Sequence, residues 1–154
     1  VTMGRGEGPS CYCYINSLLR KFADDITDSY QWMVVDNEAG MEHLSRRIIS
    51  SIDILIAVVN LNPLSIDCAR RVSEGVDELK NPVQKKCFLI NSVTQDRIEG
   101  VKDKMQDVDM EYIGYIPYDE ELEKTIFEGK SIYSLESSIS VNKIKEILTN
   151  LGVK

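Results

Sequence analysis

Nothing in these 154 residues is apolar over enough length to cross a bilayer. The longest hydrophobic run, "IDILIAVV" at 52–59, is the length of a buried strand, against the ~18 residues a span needs. Runs of lysine or arginine are also missing: Arg46-Arg47 and Arg70-Arg71 are isolated pairs, and the net charge of -7 opposes broad contact with nucleic acid or anionic membrane. No secretory signal segment is visible, so the chain is expected to be cytoplasmic. Its four cysteines then read as reduced thiols or metal ligands, not disulfides. Histidine occurs once, and His43 reads as a surface or packing residue. The phosphate-binding pattern G-x-x-x-x-G-K-[ST] is absent as well. "EGKS" at 128–131 has its last three residues, but position 124 is Lys where the pattern needs Gly. The segment also follows a helical stretch, whereas that loop needs a strand before it and a helix after it.

What is present is ordinary for a folded domain: apolar residues make up 43% and charged residues 28%. The length suits one domain with a core of its own. Four short runs are rich in β-branched or aromatic residues: "QWMVVD" (31–36), "DILIAVVN" (53–60), "KCFLIN" (86–91) and "MEYIGYIP" (110–117). The first three are nearly continuous in hydrophobicity, as strands buried on both faces of a parallel sheet are. Between them the period becomes helical. Ile15, Leu18, Leu19, Phe22 and Ile26 share one helix face; Met41, Leu44, Ile48 and Ile49 share another. Cys68, Ala69, Val72, Val76 and Leu79 form a third after Pro63, and Ile144, Ile147, Leu148 and Leu151 mark a C-terminal helix. Strands alternating with helices predict an α/β fold, a parallel sheet with helices on both faces.

Ligands of such sheets bind at the carboxyl ends of the strands. Those ends carry Asp36, Asn60, Asn91 and the Pro117-Tyr118-Asp119 turn. An Asp at a strand tip can orient Mg²⁺ through its waters, and Gly40 just beyond can offer a backbone N–H to a terminal phosphate. A helix-capping turn explains the same residues without a ligand. The Asn91 amide has the donor and acceptor to pair with a purine edge; an Asx turn closing the strand is the plainer alternative. Pro117 and Asp119 before Glu120 and Glu121 read as a helix start with its dipole complemented.

The stretch "GRGEGPSCYCYINSLLRKF" at 4–22 places Cys11 and Cys13 two residues apart, after glycines and before a helix. Residues i and i+2 lie on one side of an extended chain but diverge on a helix, so the thiols converge only where the chain is extended. Two thiolates suit Zn²⁺ or Ni²⁺ and leave two positions open. A second copy across a two-fold axis would supply the missing pair. The alternative is two small, half-buried cysteines without a ligand. Cys68 on an apolar helix face and Cys87 in a strand read as core.

In their order, "GEGPSCYCYINSLLR", "VVDNEAGMEHLSRR", the strand-end Asn of "FLIN" and "IGYIPYDEEL" resemble the nickel-insertion accessory ATPases of carbon monoxide dehydrogenase (CooC type). These are part of the MinD/ParA-like group of P-loop ATPases. The resemblance runs over essentially the whole chain. Its specific part is "CYC" followed by "DNEAGMEHLSRR", where Glu38 replaces the proline of the group's D-x-P-A-G.

The resemblance implies an ATP-dependent dimer, using ATP with Mg²⁺, that loads nickel into carbon monoxide dehydrogenase, its client. It implies that Asp36 is the Walker B-type catalytic aspartate and Gly40 the switch glycine. Asn91 becomes the adenine-reading amide beside Pro117, Tyr118 and Asp119, and Cys11 and Cys13 become ligands for Zn²⁺ or Ni²⁺ at a homodimer interface. The family's first strand and phosphate loop precede the matched region, so residues 1–154 read as the C-terminal part of a single P-loop ATPase domain, with an incomplete P-loop NTPase fold, inactive alone. Two other readings stand beside this one: a non-enzymatic metal-binding dimerisation module, and a MinD/ParA-like positioning ATPase in which the cysteine pair is incidental. No nucleic-acid or membrane partner is expected.

Overall fold

The computed structural model describes Ser17, Lys21, Phe22, Asp25 and residues 29–37, 51–78, 83–135 and 138–153. Its regular elements are β1 (Ile52–Val59), α1 (Pro63–Glu78), β2 (Val83–Val93), α2 (Ile98–Lys104), β3 (Glu111–Pro117), α3 (Glu120–Phe127) and α4 (Ile139–Asn150). Short 3₁₀ turns at Gln95–Arg97 and Ile132–Ser134 lead into α2 and follow α3. The three strands pair in parallel in the order β1-β2-β3. Ile54 lies beside Lys85 and Val59 beside Ile90 in the first pair, Phe88 beside Tyr112 in the second.

The middle strand is buried on both faces. Phe88 and Ile90 point one way and Cys87 and Leu89 the other, yet all four are buried. Phe88 and Ile90 join Val59, Ile66 and Ala69 of the β1–α1 unit and Ile98, Val101 and Met105 around α2 in one core cluster. Leu135 and Ile147 are buried outside it. Lys86 ties this arrangement at its rim, bonding Asp77 of α1 at 2.9 Å and Asp109 before β3 at 2.6 Å.

The predicted alternation is therefore observed from residue 51 onward, and Cys87 is core as expected, with Cys68 half-buried on α1. The segment 31–36 differs. Residues 31–37 have no ladder partner among the described residues, Trp32, Met33 and Val35 are exposed, and Val34 is 92% exposed. Hydrophobic content alone does not make a buried strand. It also needs a neighbour to take its backbone N–H and C=O groups and a layer over each face.

"EGKS" is resolved as a helix ending. Gly129 has φ 65°, its N–H bonds the Ile126 carbonyl and the Lys130 N–H bonds Thr125, each at 3.0 Å. That is the left-handed glycine cap of α3, which needs no phosphate to explain its glycine.

Candidate functional site

The carboxyl edge of the sheet begins with the loop Asn60-Leu61-Asn62 between β1 and α1. Pro63 fills the first helical position, where its missing N–H costs nothing. Asn62 caps the helix: its Oδ1 accepts from the Ser65 N–H at 2.8 Å. The Ser65 hydroxyl reaches back and accepts from the Asn60 N–H at 2.9 Å, and the Asn62 N–H bonds the Asn60 carbonyl at 2.8 Å. Two residues of helix-start chemistry, Asn62 and Ser65, thus hold Asn60 at the tip of β1.

On β2 the regular ladder breaks between Ile90 and Val93, and Ser92 adopts φ 52°. A non-glycine residue in the left-handed region is uncommon, and irregularities of this kind re-aim neighbouring side chains. Here the neighbour is Asn91, whose Nδ2 donates to Asn60 Oδ1 at 3.2 Å. Beyond the break Val93 pairs with Pro117, and the Tyr118 N–H donates to the Val93 carbonyl at 3.2 Å. The ends of β1, β2 and β3 consequently stand side by side as Asn60, Asn91 and the 117–119 turn.

The turn is rigid for reasons of its own. Asp119 is buried, with Oδ1 accepting from the Leu122 N–H and Oδ2 from the Ser140 N–H, both at 3.0 Å. Burial by itself raises this carboxyl's pKa, but the Leu122 and Ser140 N–H groups and the Ser140 and Ser138 hydroxyls outweigh it and hold it below the usual carboxylate range. Asp119 therefore starts α3 and pins the first turn of α4 at once. Tyr118 remains about half exposed, and its Oη donates to Glu123, which pushes the phenol above its ordinary pKa. Beside this row a groove of about 270 Å³ opens between α1 and α2, lined by Leu61, Asn62, Pro63, Ile66, Arg97 and Lys104.

Of the sequence-predicted site, the structure brings together Asn91, Pro117, Tyr118 and Asp119. Asp36 is described and exposed, outside the ladder. Gly40, Cys11 and Cys13 lie outside the described residues. Among the described residues no group of three or more His, Cys, Asp and Glu could hold a metal ion. Burial, ahead of the nearby charges, raises the pKa of the Cys87 thiol and keeps it a packing group. Among those residues, too, no helix is long and apolar enough to cross a membrane. Sequence reasoning noted Asn60 as a strand end but gave it no role. The signal was available: adjacent parallel strands that both end in Asn put two amides within reach. Ser92 carried no such signal.

No family model matches the chain. It is 30% identical over 148 residues to an ATP-binding protein of Methanocaldococcus jannaschii, covering 96% of this chain and 58% of that protein. It is 26% identical over 130 residues to the carbon monoxide dehydrogenase accessory protein CooC of Rhodospirillum rubrum, covering 83% of this chain and 48% of the relative. Among solved structures, the MinD cell division protein of Aquifex aeolicus superposes with a TM-score of 0.68 at 24% identity, over 90% of this chain and 61% of that one. The chain thus spans about half the length of the curated relatives it matches. The superposition shows that the parallel α/β fold is like that of MinD.

Proposed function

We propose that this chain is part of an ATP-binding P-loop NTPase of the MinD/ParA-like group, and that its ordered strand edge reads the adenine base. The observation that carries the reading is the row Asn60–Asn91–Tyr118 at the carboxyl ends of three parallel strands, the place such folds use for ligands. An amide offers one donor and one acceptor in a plane, which fits an adenine edge. Asn91 makes that contact, Pro117 and Tyr118 flank the base, and Asp119 contributes by fixing the shape of the turn. That a similar protein is described as ATP-binding agrees with this assignment.

Asp36 and Gly40 are the residues we assign to the phosphate end, Asp36 through a Mg²⁺-bound water. The exposed carboxylate after an apolar segment fits that chemistry. These residues include no G-x-x-x-x-G-K-[ST] sequence, and the 154-residue chain alone is expected to release no phosphate from ATP. Within the group we favour the nickel-accessory branch, acting on carbon monoxide dehydrogenase, with Cys11 and Cys13 as ligands for Zn²⁺ or Ni²⁺ between two copies. Its support is the order of the "CYC" and "DNEAGMEHLSRR" motifs and the similarity to CooC.

Calorimetric or NMR titration with ADP and GDP tests the base-reading assignment, because the two share their phosphates and differ in the base. Asn91→Ala is expected to weaken ADP binding about tenfold while changing GDP binding little. An unchanged ADP affinity in that variant would remove Asn91 from the site.

A further inference from the structure

The Asn91–Asn60 hydrogen bond has a directional consequence. A lone asparagine amide can turn over and present either its oxygen or its NH₂ to a ligand. At this strand edge Asn91 Nδ2 donates to Asn60 Oδ1 at 3.2 Å, so the NH₂ group faces β1 and the carbonyl oxygen is turned away from it. Among the described residues nothing donates to Asn91 Oδ1. The Asn60 main chain is held, its N–H on the Ser65 hydroxyl and its backbone carbonyl on the Asn62 N–H. The left-handed Ser92 and the ladder break after Ile90 bring Asn91 to this position from the other side.

From this geometry we infer that Asn60 is a positioning residue that sets base specificity: it fixes the Asn91 amide so that its oxygen is the group presented to the base. The inference rests on the reading of Asn91 as the adenine contact. The exocyclic group at the six-position of adenine is an NH₂ donor and that of guanine is a carbonyl acceptor. An amide locked with its oxygen outward accepts from adenine and faces guanine oxygen to oxygen. An amide free to turn accommodates both. Asn60 therefore acts on the ratio of adenine to guanine affinity more than on affinity itself, as a site built to pair one polar pattern rejects its opposite.

The chain is titrated with ADP and GDP, and the ratio of the two affinities is the readout. Asn60→Ala is expected to lower the ADP-over-GDP ratio about fivefold, the effect of one hydrogen bond that held an orientation. Asn60→Asp keeps an acceptor for Asn91 Nδ2 and is expected to retain the ratio; a merely structural role for the Asn60 amide would not sort the two variants this way. The amide protons of Asn91 provide a second measurement in ¹⁵N-labelled protein: the one bonded to Asn60 shifts in Asn60→Ala and stays in Asn60→Asp. Should Asn60→Ala fail to fold by circular dichroism, Asn60→Ser, too short to reach Asn91, replaces it. If Asn91→Ala abolishes the ADP preference and Asn60→Ala leaves it intact, the positioning role is wrong and the base-reading assignment stands. If Asn91→Ala leaves ADP binding unchanged, or the wild-type chain does not distinguish ADP from GDP, both fall together.

Discussion

Asp119 shows how one carboxylate organises the turn next to the site. It accepts from the first turns of α3 and α4, and only the ionised form accepts well on both oxygens at once. Its folded pKa lies below the unfolded value near ~3.9, so its contribution is fully present above that value and is lost as pH falls through the folded pKa. Asp119→Asn retains an acceptor for the Leu122 N–H but turns an NH₂ toward the Ser140 N–H, donor against donor. We expect a loss of about 1–3 kcal/mol at pH 7. In urea unfolding, the gap between wild type and Asp119→Asn should narrow as the pH falls from about 4 toward about 2, because only the wild type has this group to protonate. A gap that is constant across that range would mean that folding does not shift the Asp119 pKa. The sequence reading already saw Asp119 as a helix cap. That its second oxygen binds α4, 21 residues further on, follows only from the packing.

At the scale of elements, the junction of β3 and α4 depends on an absent side chain. Gly114 has φ 144°, and a Cβ placed there would lie 3.0 Å from both Cγ1 and Cδ1 of Ile147, a buried residue of α4. Gly114→Ala is expected to destabilise by about 1–3 kcal/mol, through both the contact and the backbone conformation. Ile147→Val removes the Cδ1 carbon, so the penalty of Gly114→Ala should be smaller in that background by about 0.5–1 kcal/mol. Strictly additive effects in thermal or urea melts would show that α4 moves away from β3 instead. In the sequence, Gly114 is one residue of the strand run "MEYIGYIP", and Ile147 is one of four residues on a helix stripe. Their contact has no local signature, since 33 positions separate them. The converse error came at 31–36, where local composition was strand-like and no partner strand stands among the described residues.

At the scale of the whole molecule, the proposed cysteine site is an assembly property, because two thiolates complete a four-coordinate ion only with a second copy. Purified chain is expected to hold about one Zn²⁺ or Ni²⁺ per two chains and to elute as a dimer. Cys11→Ser with Cys13→Ser should lose both, read by elemental analysis and size-exclusion chromatography with light scattering. Unchanged metal content and dimer fraction would refute the interface site. Cys87 provides an internal control, since its raised pKa and burial leave it no part in binding. A dimer that survives without metal would fit the positioning-ATPase reading, and a metal-bound dimer indifferent to nucleotide would fit the dimerisation module.

The amino-acid sequence by itself determined the α/β class, the strands at 52–59, 83–93 and 111–117 to within a few residues, the rejection of "EGKS" and the row of polar strand ends. Hydrophobic period, capping residues and turn glycines act over a few residues, so each is legible where it stands. Only the tertiary structure decided which strand ends are neighbours, that Asn91 is bonded to Asn60, and that Asp119 holds two helices. Those facts depend on parallel strands 31 residues apart being brought into register by the burial of the helices between them. Burial of this kind is a property of the folded whole, written in no single stretch of the chain.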